Sequence, residues 1–149
     1  MTETNPRECP YYLMSRVTLF VTAALKRGFN TAGVDKVKPA YLGVLMILWR
    51  EDGIKVIDLG RRAGLEPSTM TGLLDRMERD EILYRAADPS DRRAQLIYLT
   101  DHGREVKQPA LDVVDQVLAG VFKGIPEEEI QRTKDIMQRV LANAQEVNK

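Results

Sequence analysis

Between Pro67 and Leu99 the hydrophobic period changes once, from helical to strand-like, and that change limits what the chain can fold into. Met70, Leu73, Leu74 and Met77 recur at i, i+3, i+4 and i+7, the stripe of an amphipathic helix opened by Pro67. Ile82-Leu83-Tyr84 and Leu96-Ile97-Tyr98-Leu99 are short β-rich runs. Asp88-Pro89-Ser90-Asp91 between them is a turn sequence, so a hairpin with a charged tip follows the helix directly. Upstream, a short helix with Ile57, Leu59 and Ala63 inward is stopped by Gly64. Two short helices joined by a tight glycine-containing turn make a helix-turn-helix, and the hairpin gives it a wing.

The rest of the chain reads as helix. Leu13, Val17, Phe20, Ala24 and Leu25 keep helical spacing from Pro10 to about Phe29. Pro39 suits the first turn of a second helix, with Leu42, Leu45, Met46 and Trp49 as its stripe and Asp52-Gly53 at its end. Thr100 stands at an N-cap with Asp101 in the first turn of a long helix. Val106, Ala110, Val113, Val114, Val117, Leu118 and Val121 line one face of it, and Pro109 should kink it or delay its regular part. Gly124 and Pro126 separate a last helix, whose stripe is Ile130, Ile136, Met137, Val140, Leu141 and Ala144. The expected fold is mainly α (α+β), one domain over residues 1–149. A winged section spans 38–103, and helices at 1–37 and 104–149 flank it. Their apolar stripes exceed what one protomer of this size covers, which predicts a dimer.

Charge restricts the function. The whole chain is formally neutral, and from Arg50 to Arg104 ten Lys/Arg face eleven Asp/Glu. Many nucleic-acid-binding domains are visibly basic, so any positive charge that matters here must be local. No apolar run approaches the roughly 18–20 residues of a membrane span. The polar residues before Cys9 are not those of a secretory signal. With one cysteine there is no internal disulfide, and a reducing cytoplasm is the expected setting.

The polar side of the helix after Pro67 carries Ser68, Thr69, Thr71, Gly72, Asp75, Arg76 and Arg79. Its first turns hold small hydroxyl residues and no acid between Pro67 and Leu74. A recognition helix needs that composition, because its N-terminal side chains approach base edges and carboxylates there repel phosphates. A plain surface helix with a capping turn accounts for the same residues. The hairpin adds Arg92 and Arg93 beside Asp91. Arginine suits a narrow A·T-rich minor groove. The Asp-x-Arg spacing lets Asp91 orient the Arg93 guanidinium through a charge-assisted hydrogen bond. A solvated turn with an ordinary ion pair is the alternative.

Taken in order, Leu65-Glu66-Pro67-Ser68-Thr69-Met70-Thr71, Leu74-Asp75-Arg76-Met77-Glu78, Asp88-Pro89-Ser90-Asp91-Arg92-Arg93 and Leu99-Thr100-Asp101-His102-Gly103 resemble the multiple antibiotic resistance regulator (MarR) family of bacterial transcription factors. The resemblance implies a homodimer of winged-helix protomers that binds double-stranded DNA at a pseudo-palindromic operator, usually as a repressor. It implies Ser68, Thr69, Thr71 and Arg76 at the major groove and Arg93 in the minor groove. Arg92 would sit at a phosphate, and Arg61 and Arg62 near the backbone. It also implies release by a small aromatic or anionic effector or a stress signal. Glu66 departs from the pattern, standing where a hydroxyl cap is more usual.

Other residues carry competing readings. Cys9 lies at a helix start, where a thiol can be activated, and one branch of the resembled family senses oxidants with a cysteine in this helix. The tyrosine partners expected in the second helix are missing apart from Tyr41. Tyr11, Tyr12 and Trp49 are candidates for an effector pocket, or else core and interface. His102 is the single histidine and has no evident partner. One His and one Cys do not make a zinc cluster, and no phosphate-loop or dinucleotide glycine motif occurs. Neither a metal, a cofactor nor an enzyme is expected. A winged helix that docks on proteins instead of DNA is the second function class.

Overall fold

The computed structural model describes residues 5–149. A 3-10 turn (Pro6–Glu8) leads into α1 (Pro10–Thr31), and a second one (Pro39–Tyr41) into α2 (Leu42–Leu48). Then come β1 (Ile54–Lys55), α3 (Val56–Ala63), α4 (Pro67–Arg79), β2 (Leu83–Asp88), β3 (Asp91–Leu99), α5 (Asp101–Glu105), α6 (Lys107–Val121) and α7 (Glu127–Val147). The chain divides into two compact units, one ending at Val117 and the other beginning at Leu118.

The first unit holds the core. Phe29 of α1, Tyr41, Leu45 and Leu48 around α2, Leu59 of α3, and Met70, Leu74 and Met77 of α4 are buried together with Ile82, Leu83, Ile97 and Leu99 of the sheet. The stripe expected for α4 is thus the face that faces inward. Gly64 ends α3 in the left-handed region at φ 69°, a conformation glycine adopts without a side-chain penalty. The inward residues of α3 are Leu59 and Gly60, with Val56 and Ala63 half-covered beside them. Ile57 falls one position outside that i, i+3, i+4, i+7 row, so contrary to expectation it faces out, 73% exposed.

The wing is a hairpin with Pro89-Ser90 as its two connecting residues. Leu83 pairs with Leu99 and Tyr84 with Tyr98, and the register shifts between Ala87 and Asp88. A third strand was not expected: Ile54 and Lys55 pair with Ile97 and Leu96 to give the antiparallel order β1-β3-β2. Two residues are too few to show a period. Helix α2 stops at Leu48 rather than at Asp52-Gly53, and a turn leads from it to β1.

Thr100 caps α5 as expected, its Oγ1 accepting from the Gly103 N–H at 3.0 Å. The long helix anticipated after it is two, broken at Val106. Pro109 has no N–H for the Glu105 carbonyl, so the i→i−4 ladder is interrupted there.

Much of α1 is uncovered within the protomer. Leu13, Val17 and Phe20 of the stripe with helical spacing are exposed, and only the C-terminal half reaches the core through Leu25 and Phe29. In the second unit α7 has no buried residue, and Ile136, Met137, Val140 and Leu141 are exposed on it.

Candidate nucleic-acid interface

The N-terminal turns of α4 present Ser68, Thr69 and Thr71 to solvent, as their spacing off the Met70–Leu73–Leu74–Met77 row requires. Glu66 is the N-cap residue but makes no side-chain cap, so the first amide groups of α4 have no carboxylate folded over them. Orphan N–H groups and a positive helix end are thereby left open to an anion. The Thr71 hydroxyl donates to the Pro67 carbonyl at 3.1 Å, which fixes its rotamer and leaves its lone pairs outward. Arg76, two turns along, lies back over Gly72 with Nη1 3.6 Å from where a β-carbon would stand.

At the wing tip Asp88 is buried and does the organising. Its Oδ1 accepts from the Ser90 N–H at 2.9 Å and the Ser90 hydroxyl at 2.8 Å. Lys55 Nζ of β1 lies 3.7 Å from its other oxygen. The Ser90 amide and hydroxyl hold the Asp88 carboxyl below the usual aspartate range, against the opposing effect of burial and with help from Lys55. Asp91 acts differently from expectation. Its Oδ1 accepts from the backbone N–H of Arg93 at 3.0 Å and not from the guanidinium. It shapes the start of β3 and leaves both wing arginines exposed.

Ion pairs sort the remaining charges. Arg61 is taken up by Asp58 at 2.6 Å, Arg62 by Glu51 at 2.7 Å, and Arg104 by Asp52 and Asp101. Arg85 of β2, its side chain 20% exposed, reaches Asp75 at 2.8 Å and Glu78 at 3.1 Å, and so offsets one of the two negative charges on the outer side of α4. Among the described residues Arg76, Arg79, Arg92 and Arg93 have no acidic partner within ion-pair distance. The neutral section therefore carries positive charge where α4 and the wing face outward. A groove of about 840 Å³ runs between them, lined by Ile57, Arg61, Pro67, Thr71, Arg92 and Arg93 among others.

A sequence model of the MarR family matches residues 39–94, from the turn before α2 into β3. An organic hydroperoxide resistance transcriptional regulator of Bacillus subtilis (strain 168) is 30% identical over 110 residues, covering 74% of this chain and 73% of that protein. The chain belongs to the MarR family. The HTH-type transcriptional regulator TtmR of Methylorubrum extorquens (strain PA1) is 45% identical over 69 residues, and the match spans 35% of its length. The crystal structure of the PcaV transcriptional regulator from Streptomyces coelicolor in complex with its natural ligand superposes with a TM-score of 0.83. It covers 97% of this chain and 99% of that one at 24% identity, a likeness of fold.

The other residues singled out in this MarR-family chain fall outside the groove. Cys9 is half-exposed at the N-cap of α1 and makes no side-chain cap. The Tyr41 hydroxyl is engaged by Asp80, donating to its Oδ2 at 2.6 Å. The Trp49 indole N–H donates to the Gly103 carbonyl at 2.9 Å, so that ring is part of the packing between α2 and α5. Tyr11 and Tyr12 are exposed on the first turn of α1, and His102 is exposed on α5. Sequence reasoning missed Arg85 and Asp88. For Asp88 the Asp-Pro-Ser turn was a usable signal, since an Asx side chain that caps the amide two residues on is common there.

Proposed function

We propose that this chain is a homodimeric, sequence-specific double-stranded-DNA-binding transcriptional regulator, acting as a repressor on a pseudo-palindromic operator. The observation that carries the reading is the sorting of charge: Arg85 pairs with Asp75 and Glu78 of α4 and offsets part of their charge, while among the described residues Arg76, Arg92 and Arg93 have no acidic partner within ion-pair distance. In this reading residues 38–103 form the DNA-binding section. Ser68, Thr69, Thr71 and Arg76 face the major groove, Arg93 enters the flanking minor groove, and Arg92 contacts phosphate. Arg61 and Arg62 approach the backbone only by exchanging their carboxylates for phosphate.

Residues 1–37 and 104–149 serve the dimer. Support comes from α1, where Tyr11 is 76% and Phe20 63% exposed, and separately from the uncovered apolar row of α7. Apolar surface of that extent on two long helices is typical of an interaction site. Two recognition helices about 34–36 Å apart then meet successive major grooves.

The test is salt dependence of duplex binding. A DNA-binding dimer loses affinity with a log–log slope of about −0.9 per neutralised phosphate. A flat response, or no binding to any duplex at low salt, overturns the reading in favour of a protein-docking winged helix.

A second reading concerns the signal. The relative named for organic hydroperoxide resistance and the half-exposed Cys9 at a helix start together support release by peroxide oxidation. Operator binding by Cys9→Ser, with and without an organic hydroperoxide, tests it. Equal behaviour of the variant and the wild type, or no response in the wild type, overturns the peroxide reading.

A further inference from the structure

Gly72 sits in the middle of α4, where glycine weakens a helix relative to alanine. Some helical glycines elsewhere in the chain are hemmed in by the protein itself. A β-carbon on Gly28 would lie 2.6 Å from Val113 Cγ1, one on Gly60 3.0 Å from Met70 Cγ, and one on Gly103 would collide with the Ile82 carbonyl oxygen. Gly72 is different. Its φ is not in the left-handed region, and a β-carbon there meets only Arg76 Nη1 at 3.6 Å, an ordinary van der Waals distance. The folded protomer would accept alanine at 72 without moving anything. Gly43 of α2 and Gly120 of α6 are also open, but neither lies on α4.

Position 72 is one turn from Ser68 and one turn from Arg76, so it falls between the hydroxyl-bearing N-terminal turns and the unpaired guanidinium on one outward face. A missing side chain there leaves the backbone of α4 covered on that face by nothing but the movable Arg76 guanidinium.

We propose that Gly72 is a specificity-determining residue for DNA: it is the point of closest approach between the α4 backbone and base edges, and glycine is present to admit the duplex. The proposal rests on the DNA-binding function above. It assigns the stability cost of an interior glycine to the partner and not to the fold. It also explains how Arg76 is carried. Nη1 lies along the helix over position 72, toward the N-terminal turns, so the hydroxyls and the guanidinium can read adjacent bases from one flat surface.

The experiment uses the full chain and duplexes of about 30 base pairs, long enough for two half-sites a helical turn apart, selected from a random-sequence pool by the wild-type protein. Gly72→Ala is expected to melt about 2–4 °C higher, as removal of a helix-interior glycine from a chain of this size would give. It is expected to bind the selected duplexes ten-fold or more weakly, with the salt slope of the wild type, because phosphate contacts are retained. A variant that melts higher and binds within two-fold of wild type overturns the proposal. So does a variant that melts lower, because glycine would then serve the fold. A wild type that selects no duplex ends the DNA reading and this proposal with it. Intact binding by Gly72→Ala beside a binding wild type ends this proposal alone.

Discussion

The Tyr41 hydroxyl donates a 2.6 Å hydrogen bond to Asp80 Oδ2, tying the start of α2 to the C-cap of α4. Tyr41 is 2% exposed. Burial, then the hydrogen bond and charge of Asp80, push its phenol up to about 12. Tyr41→Phe removes the donor from a carboxylate and is expected to cost about 1–2 kcal/mol, measured by urea unfolding. The wild type has an alkaline signature that the variant lacks. An unfolded tyrosine titrates near 10, so between about 10 and 12 the unfolded state has lost a proton that the native state keeps. Stability from Tyr41 is complete below about 10 and falls as pH rises through that window. Parallel stability–pH curves for the two proteins would show that the hydrogen bond contributes nothing.

Arg85 is expected to matter to DNA binding without touching DNA. It holds Asp75 and Glu78 of α4 from the adjacent strand. Arg85→Met keeps the aliphatic stem and removes the charge, leaving two carboxylates uncompensated beside an approaching phosphate backbone. Affinity at low salt should fall by ten-fold or more, about 1.4 kcal/mol per factor of ten. The deficit should shrink as salt rises, since exposed repulsion is screened. A deficit that is constant across salt would instead indicate a displaced wing.

The helices of the winged section and its turn were legible in the sequence because they rest on local patterns. The α4 stripe, Pro67 at its start and the Asp88–Asp91 turn each lie within a few residues. What escaped was decided between elements. Arg85 meets Asp75 and Glu78 across a strand–helix contact that no spacing rule encodes. Strand β1 exists only because Ile54 and Lys55 lie beside β3. Asp91 kept the expected neighbour, Arg93, but took its amide rather than its guanidinium, and spacing alone does not separate the two. Ile57 was misplaced because one residue of phase on an eight-residue helix turns a side chain from core to solvent.

Gly103→Ala should fail to fold as the wild type does. The added methyl would enter the carbonyl oxygen of Ile82, which is backbone and cannot step aside. The same residue receives the Trp49 indole and donates to Thr100. A loss of about 3 kcal/mol or more, the range reserved for strained backbone and broken buried networks, is expected in thermal unfolding. A variant within 1 kcal/mol of wild type would mean that the α5 cap moves freely.

The wing turn has its own pH dependence. Asp88 is held below the usual range chiefly by the Ser90 amide, then by its hydroxyl. A carboxyl depressed in the folded state contributes stability above its ordinary value of about 3.9 and loses it as pH falls through the folded one. Between neutrality and about pH 4 the turn should therefore stay closed. Hydrogen exchange at the Ser90 amide reads this directly. Protection that is lost already near pH 6 would exclude Asp88 as the group that closes the turn.

Arg92 and Arg93 should separate by the kind of contact each makes. Both are exposed, and among the described residues neither has a carboxylate within ion-pair distance. Arg93→Ala is expected to cost about 1–3 kcal/mol, concentrated on duplexes with A·T-rich flanks, because a narrow minor groove draws in that guanidinium. Arg92→Ala should weaken all duplexes alike and reduce the salt slope by about 0.9, one phosphate's worth. Thr71→Ala completes the set: its hydroxyl, held to the Pro67 carbonyl with lone pairs outward, should alter base preference and leave the slope alone. The measurement is binding of a duplex panel varied in flank and core at two salt concentrations. Equal, sequence-independent losses for all three variants would place every one of these side chains on the phosphate backbone and remove the wing from sequence recognition.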